Sequence, residues 1–195
     1  MIDTESHYII PKFPVSFPSK DNRRWTCGMY TLKAVIEWYN GSQINNYRNY
    51  ASWRLSRLSW FMLPSGLLKV LIQHWLSVHP HHYRWMRNEK KIEILKKLLH
   101  KGPVILLISH AYSSKRHFSF RRAFTLQHYI TLRWYDDAKR IFYVYDSNTE
   151  KIHHKGNTLP VGNIILEYHR LLQYRRFSAR WIYRNFAISV EYFNT

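Results

Sequence analysis

The sequence predicts an α+β fold, an N-terminal helical part against a C-terminal antiparallel sheet, and three observations carry that reading. Apolar and aromatic residues recur at helical spacing from Cys27 to Tyr39 and again from Glu89 to His100. Val104 to Ile108 is an unbroken apolar run of strand length, as a strand buried on both faces requires. Gln127–Trp134 and Arg140–Asp146 alternate at strand period on either side of a polar turn, Tyr135–Lys139. The chain is read as one domain, 1–195, with 1–20 an extended arm. Its 46% apolar content supplies a core, and 17% aromatic residues argue against disorder.

Taken in order, Pro11, Pro14 and Pro18 forbid a helix in the arm and suggest extended chain leading into the site. The helix that begins at Cys27 sets Tyr30, Ala34 and Trp38 with Leu32, Val35, Ile36 and Tyr39 against a core, and stops at Asn40-Gly41. Gln43 to Tyr50 connects. A second helix covers Ala51 to Met62. Pro64-Ser65-Gly66 is a break, with Ser65 as N-cap of a third helix reaching about to Val78. A basic aromatic segment, His79 to Arg87, follows. The helix from Glu89 to His100 carries an acid at its start and lysines at its end, and Gly102-Pro103 stops it. His110 to Leu126 is long for a connection and reads either as a basic aromatic loop serving as lid or substrate grip, or as an extra hairpin with Phe118, Phe120 and Phe124 in the core. Ser147 to Gly162 is turn-rich, Asn163 to Arg176 is read as helix, and Phe177 to Phe193 as one or two terminal strands.

Thirty Lys and Arg against twelve Asp and Glu give a formal charge of +18. Two stretches, Trp38 to Asn88 and Ile94 to Tyr135, hold no carboxylate at all, so the excess is spread along the chain. Such a field favours an anionic partner: nucleic acid, acidic lipid, cell-wall polymer or acidic protein. Nucleic acid is not the favoured partner, because no zinc-finger spacing, aromatic-glycine strand signature or basic heptad is present. A single cysteine excludes an intrachain disulfide. Met1 to Phe13 holds Asp3 and Glu5 and no long apolar run, so no cleavable export signal is expected. Leu58 to Leu76 is interrupted by Pro64, Gly66, Lys69 and His74, so no transmembrane segment is expected. These features suit a soluble protein, cytoplasmic or exported by a signal-independent route. His79-Pro80-His81-His82 and His153-His154 lack partner carboxylates or thiols at ligand spacing, so no metal is expected, and the lack of a glycine-rich phosphate loop leaves no cofactor.

The chemistry centres on Cys27. A thiol in the first turn of a helix meets backbone N–H groups that have no intrahelical partner, and the positive end of the dipole favours its thiolate. A hairpin centred near Asp137 sets His128 directly opposite Asp146, with a diagonal contact open to a shifted register. The carboxylate would fix the imidazole and stabilise its charged form, leaving the second ring nitrogen for Cys27.

Thr26-Cys27-Gly28 opening a helix, Pro64-Ser65-Gly66-Leu67-Leu68, Gly102-Pro103-Val104-Ile105-Leu106-Leu107, then His128 and Asp146, resemble the papain-fold cysteine peptidases. The likeness is greatest to the bacteriocin-processing peptidases that remove double-glycine leaders and to their stand-alone relatives, and it covers about residues 20 to 147. It implies a papain-like fold, with the nucleophile helix packed on the sheet, and a peptide or protein substrate. The family carries a glutamine about six residues before the nucleophile to hold the oxyanion. Here the sixth residue back is Asp21 and the fifth is Asn22, so the resemblance assigns that role to Asn22. Trp25, Gly28 and Gln127, beside the nucleophile and base, are expected to bind substrate.

The expected function is a cysteine hydrolase that cleaves a peptide or amide bond through Cys27, His128 and Asp146 and a covalent acyl-enzyme. Two alternatives stay open: acyl transfer on the same triad, or a non-catalytic papain-fold module that binds an anionic partner. A stand-alone basic protease and a secreted effector or toxin both fit the absence of accompanying transporter segments.

Overall fold

The computed structural model describes residues 7–9, 27–41, 63–83, 85–109, 127–147, 163–176 and 185–191. The expected helix 51–62, the loop 110–126, most of the turn-rich stretch 147–162 and His153-His154 lie outside them. Among the described residues the elements run β1 (His7–Ile9), α1 (Cys27–Asn40), α2 (Pro64–Gln73), β2 (Ser77–His82), α3 (Asn88–Leu99), β3 (Val104–Ser109), β4 (Gln127–Asp136), β5 (Ile141–Tyr145), β6 (Asn163–Glu167), α4 (Tyr168–Arg176) and β7 (Phe186–Glu191). This is an α+β arrangement. The strands form one sheet in the order β2-β7-β3-β4-β5-β6, with every pairing antiparallel.

β1 also pairs with β4, through His7↔Asp136, Tyr8↔Tyr135 and Ile9↔Trp134. It therefore lies at the far end of β4 from His128, six to eight residues away or about 20–26 Å at strand rise. Being antiparallel to β4, β1 runs from Asp136 toward Trp134, that is toward the His128 end, and residues 10–26, the rest of the arm expected to lead into the site, lie outside the described residues.

Helix α1 ends as its sequence requires, with Gly41 at φ +65° in the left-handed region. It is more enclosed than its periodicity implies. Every residue from Gly28 to Trp38 is buried, not one face alone, and the helix packs against β4 and α2. The two charges inside that stretch, Lys33 and Glu37, neutralise one another across one turn in a short side-chain hydrogen bond.

The third predicted helix is corrected at both ends. Pro64 occupies its first turn, where a missing N–H costs nothing, and Leu63 precedes it without a side-chain cap, so Ser65 sits inside the helix. It stops at Gln73, and the chain turns at Trp75, φ +64°, into β2. That strand takes up the first part of the basic aromatic segment His79 to Arg87, to which the sequence assigned no element. β7 specifies it by pairing all six residues, from Ser77↔Glu191 to His82↔Phe186. α3 matches its predicted span to within a residue at each end. Lys96 binds both Glu93 and Asp137 at 2.8 Å and ties α3 to the β4–β5 turn. All six residues of β3 are buried, as a strand covered on both faces demands.

The predicted helix 163–176 is a strand followed by a helix. Residues 163–167 pair with β5 and only then does α4 begin. Phe142 and Tyr168 pack ring against ring, with centroids 4.6 Å apart, where β5 meets α4.

Candidate active site

Cys27 is the first residue of α1 and is a partly buried residue packed against the core. Two backbone N–H groups, from Gly28 in the same turn and from Tyr129 in β4, donate to that sulfur. Gly28 itself is buried. Its visible role is this N–H, which stabilises negative charge on the thiol.

His128 is the second residue of β4, and Ile108 on β3 pairs with it. Asp146 follows the last residue of β5. The hairpin joining them is not centred at Asp137. Its closing pair is Asp136↔Ile141, around the turn Asp137–Arg140, and the register shifts again between Leu132 and Trp134, where Arg133 is an extra residue on β4. Arg140 at φ +55° makes the turn, with its N–H donating to the Asp137 carbonyl at 3.1 Å. Past the bulge, Thr131 faces Tyr145 and Leu132 faces Val144. Carried one step on, this ladder puts Asp146 beside Ile130, so direct facing with His128 is lost. The offset is two residues, which keeps both side chains on the same face and leaves a diagonal contact.

That contact is made. His128 Nε2 and Asp146 Oδ1 are 2.5 Å apart, with both residues buried. The ring also hydrogen-bonds Cys27, which leaves Nδ1 as the nitrogen on the sulfur side. The structure thus brings Cys27, His128 and Asp146 together from three elements. Gln127 begins β4 opposite Ser109. Asn22 and Trp25 lie outside the described residues. The Tyr129 N–H was not among the predicted site groups, and no side-chain pattern could have flagged a backbone donor.

The three groups shift one another's protonation. Burial pushes the Cys27 thiol up, but the charge and hydrogen bond of His128, with the two backbone N–H groups, outweigh it and hold the thiol below its ordinary value. Burial pushes the His128 imidazole down, yet the charges of Asp146 and Cys27 and its bonds to both raise it well above the usual histidine range. A lowered thiol and a raised imidazole are shifts in the direction that favours a thiolate–imidazolium pair backed by a carboxylate.

A pH consequence follows. The sulfur becomes nucleophilic as pH rises through the lowered thiol transition, so alkylation of Cys27 by iodoacetamide is expected to plateau at pH values where an ordinary thiol, with a pKa of about 8.5, is still protonated. Rates measured from pH 5 to pH 9 check this. A single rise centred near the ordinary thiol value contradicts the ion pair.

Among the described residues no group of three or more His, Cys, Asp or Glu is placed to hold a metal ion. Nor is any described helix long and apolar enough to cross a membrane. The model of the Peptidase_C39 like family matches residues 26–181. The match spans Cys27, His128 and Asp146 and begins after Asn22 and Trp25. No curated protein matches the chain.

Proposed function

The chain belongs to the Peptidase_C39 like family, and from that premise we propose that it is a cysteine peptidase or related amide hydrolase acting through Cys27, His128 and Asp146. The observation that carries the reading is the imidazole of His128, bonded on one side to a buried carboxylate and on the other to a sulfur at a helix start.

In this proposal the Cys27 thiolate attacks the carbonyl carbon of the scissile amide, and the carbonyl electron pair moves onto its oxygen. The Cys27 backbone N–H and the side-chain amide of Asn22 receive the oxyanion. The imidazolium of His128 gives its proton to the departing amine as the C–N bond breaks, and an acyl-thioester remains on Cys27. Neutral His128 then takes a proton from water, whose oxygen attacks the thioester, and the thiolate is restored as the leaving group. Asp146 keeps the ring oriented and offsets its charge through both halves. Trp25 and Gln127, flanking these groups in sequence, contact the substrate.

The test is mass spectrometry of peptide libraries incubated with the wild-type protein and with Cys27→Ala. Cleavage products that appear only with the wild type are expected, together with a covalent acyl adduct on Cys27 at short times. Identical product profiles for the two proteins would overturn the proposal.

A further inference from the structure

We propose that the sheet edge formed by β2 docks on an anionic phospholipid surface. This does not rest on the hydrolase reading, since it uses none of the residues at that site.

Four large apolar side chains stand in solvent within one fifteen-residue stretch. Ile72 is 59% exposed, Trp75 85%, Trp85 87% and Met86 37%. Scattered exposed apolar residues need no explanation, but a run that brackets one edge strand does. Ile72 and Trp75 stand at the end of α2 where the chain enters β2, and Trp85 and Met86 follow the other end of the strand. Trp75 is held at φ +64°, a conformation unfavourable for a bulky residue. That turn ends α2 and leaves the indole outside.

The surrounding charge selects the partner. From Trp38 to Asn88 the sequence contains no carboxylate, and Lys69 on α2 and Arg87 after β2 are both exposed, the first acid after them being Glu89 in the opening turn of α3. Glu191, on the neighbouring β7, is held by Lys101 at 3.0 Å. Tryptophans that span apolar and polar layers, aliphatic side chains beside them and flanking cations are the groups that seat a protein at a lipid headgroup boundary. Ile72 and Met86 offer no ring to stack on a base, which disfavours single-stranded nucleic acid. Pro80 in the middle of β2 blunts the edge against an added protein strand.

The experiment is sedimentation of the whole protein with vesicles of phosphatidylglycerol mixed with phosphatidylcholine, and with phosphatidylcholine alone. Tryptophan quenching by brominated acyl chains is read in parallel. Wild type is expected to bind the anionic vesicles and to be quenched. The double variant Trp75→Ala/Trp85→Ala is expected to lose the quenching and at least about tenfold in vesicle affinity. Ile72→Ser/Met86→Ser, at other exposed positions, is expected to weaken binding in the same direction. Circular dichroism unchanged from wild type excludes misfolding as the cause. Three outcomes would overturn the proposal: no binding to anionic vesicles, binding that both double variants retain and salt alone removes, and self-association without lipid that the tryptophan variant abolishes.

Discussion

His128→Ala is expected to lower kcat/KM on a cleaved peptide by about 10⁴-fold or more, the scale seen when one member of a catalytic constellation is removed. The imidazole does two jobs in the proposed mechanism. It holds the sulfur as thiolate by charge and hydrogen bond, and it delivers the proton without which the amine cannot leave. Losing it leaves burial as the chief influence on Cys27, and burial raises the thiol. Alkylation of Cys27 in the variant should therefore fall most at pH values below the ordinary thiol transition. This second readout separates loss of the base from a damaged fold.

Asp146→Asn should behave differently. Without the carboxylate charge the His128 transition moves down, so the alkaline limb of the pH–rate profile shifts to lower pH while the acid limb, set by Cys27, moves less. A loss of activity below tenfold in His128→Ala, with alkylation unchanged, is incompatible with the mechanism.

Gly102→Ala is expected to destabilise the fold by about 2–4 kcal/mol, measured by denaturant unfolding. Gly102 lies between α3 and β3 at φ +154°, and a Cβ added there would stand 2.0 Å from the carbonyl oxygen of Val190 and 3.2 Å from Cη2 of Trp38. The first distance involves backbone that cannot yield alone, because the Val190 N–H also donates to the Pro103 carbonyl at 3.1 Å. Relief would require β7 to move away from β3, with Trp38 of α1 shifting as well. A change of under about 0.5 kcal/mol, typical of neutral surface substitutions, would show that the chain relaxes there.

The helix beginning at Cys27 and the one ending before Gly102-Pro103 were legible because their period and their stops agree. The β3 run was legible because five apolar residues in series directly after Gly102-Pro103 are too few for a buried helix and the right length for a strand buried on both faces. What failed did so for tertiary reasons. β2 contains Pro80 and three histidines, so its propensity is poor, and it exists because β7 pairs along its length. Residues 163–167 look continuous with the helix after them until β5 supplies partners.

The site was partly legible. The residue types and their order point to nucleophile, base and orienter. The register that sets their geometry depends on Arg133 bulging and Arg140 entering the left-handed region, and neither residue type announces such behaviour.

One feature of the strand order bears on biogenesis. β7 lies between β2 and β3, although more than one hundred residues separate it from β2 in the chain. During synthesis Cys27, His128 and Asp146 all emerge before this strand is made. A nascent chain can form α1 and the β4–β5 hairpin, but β2 has no described strand to join until residues 186–191 arrive, and their insertion closes loops of more than one hundred residues. Such non-local closure is slow. Removing those few residues would cost the sheet two strands, because β2 has no other described neighbour and would leave with β7.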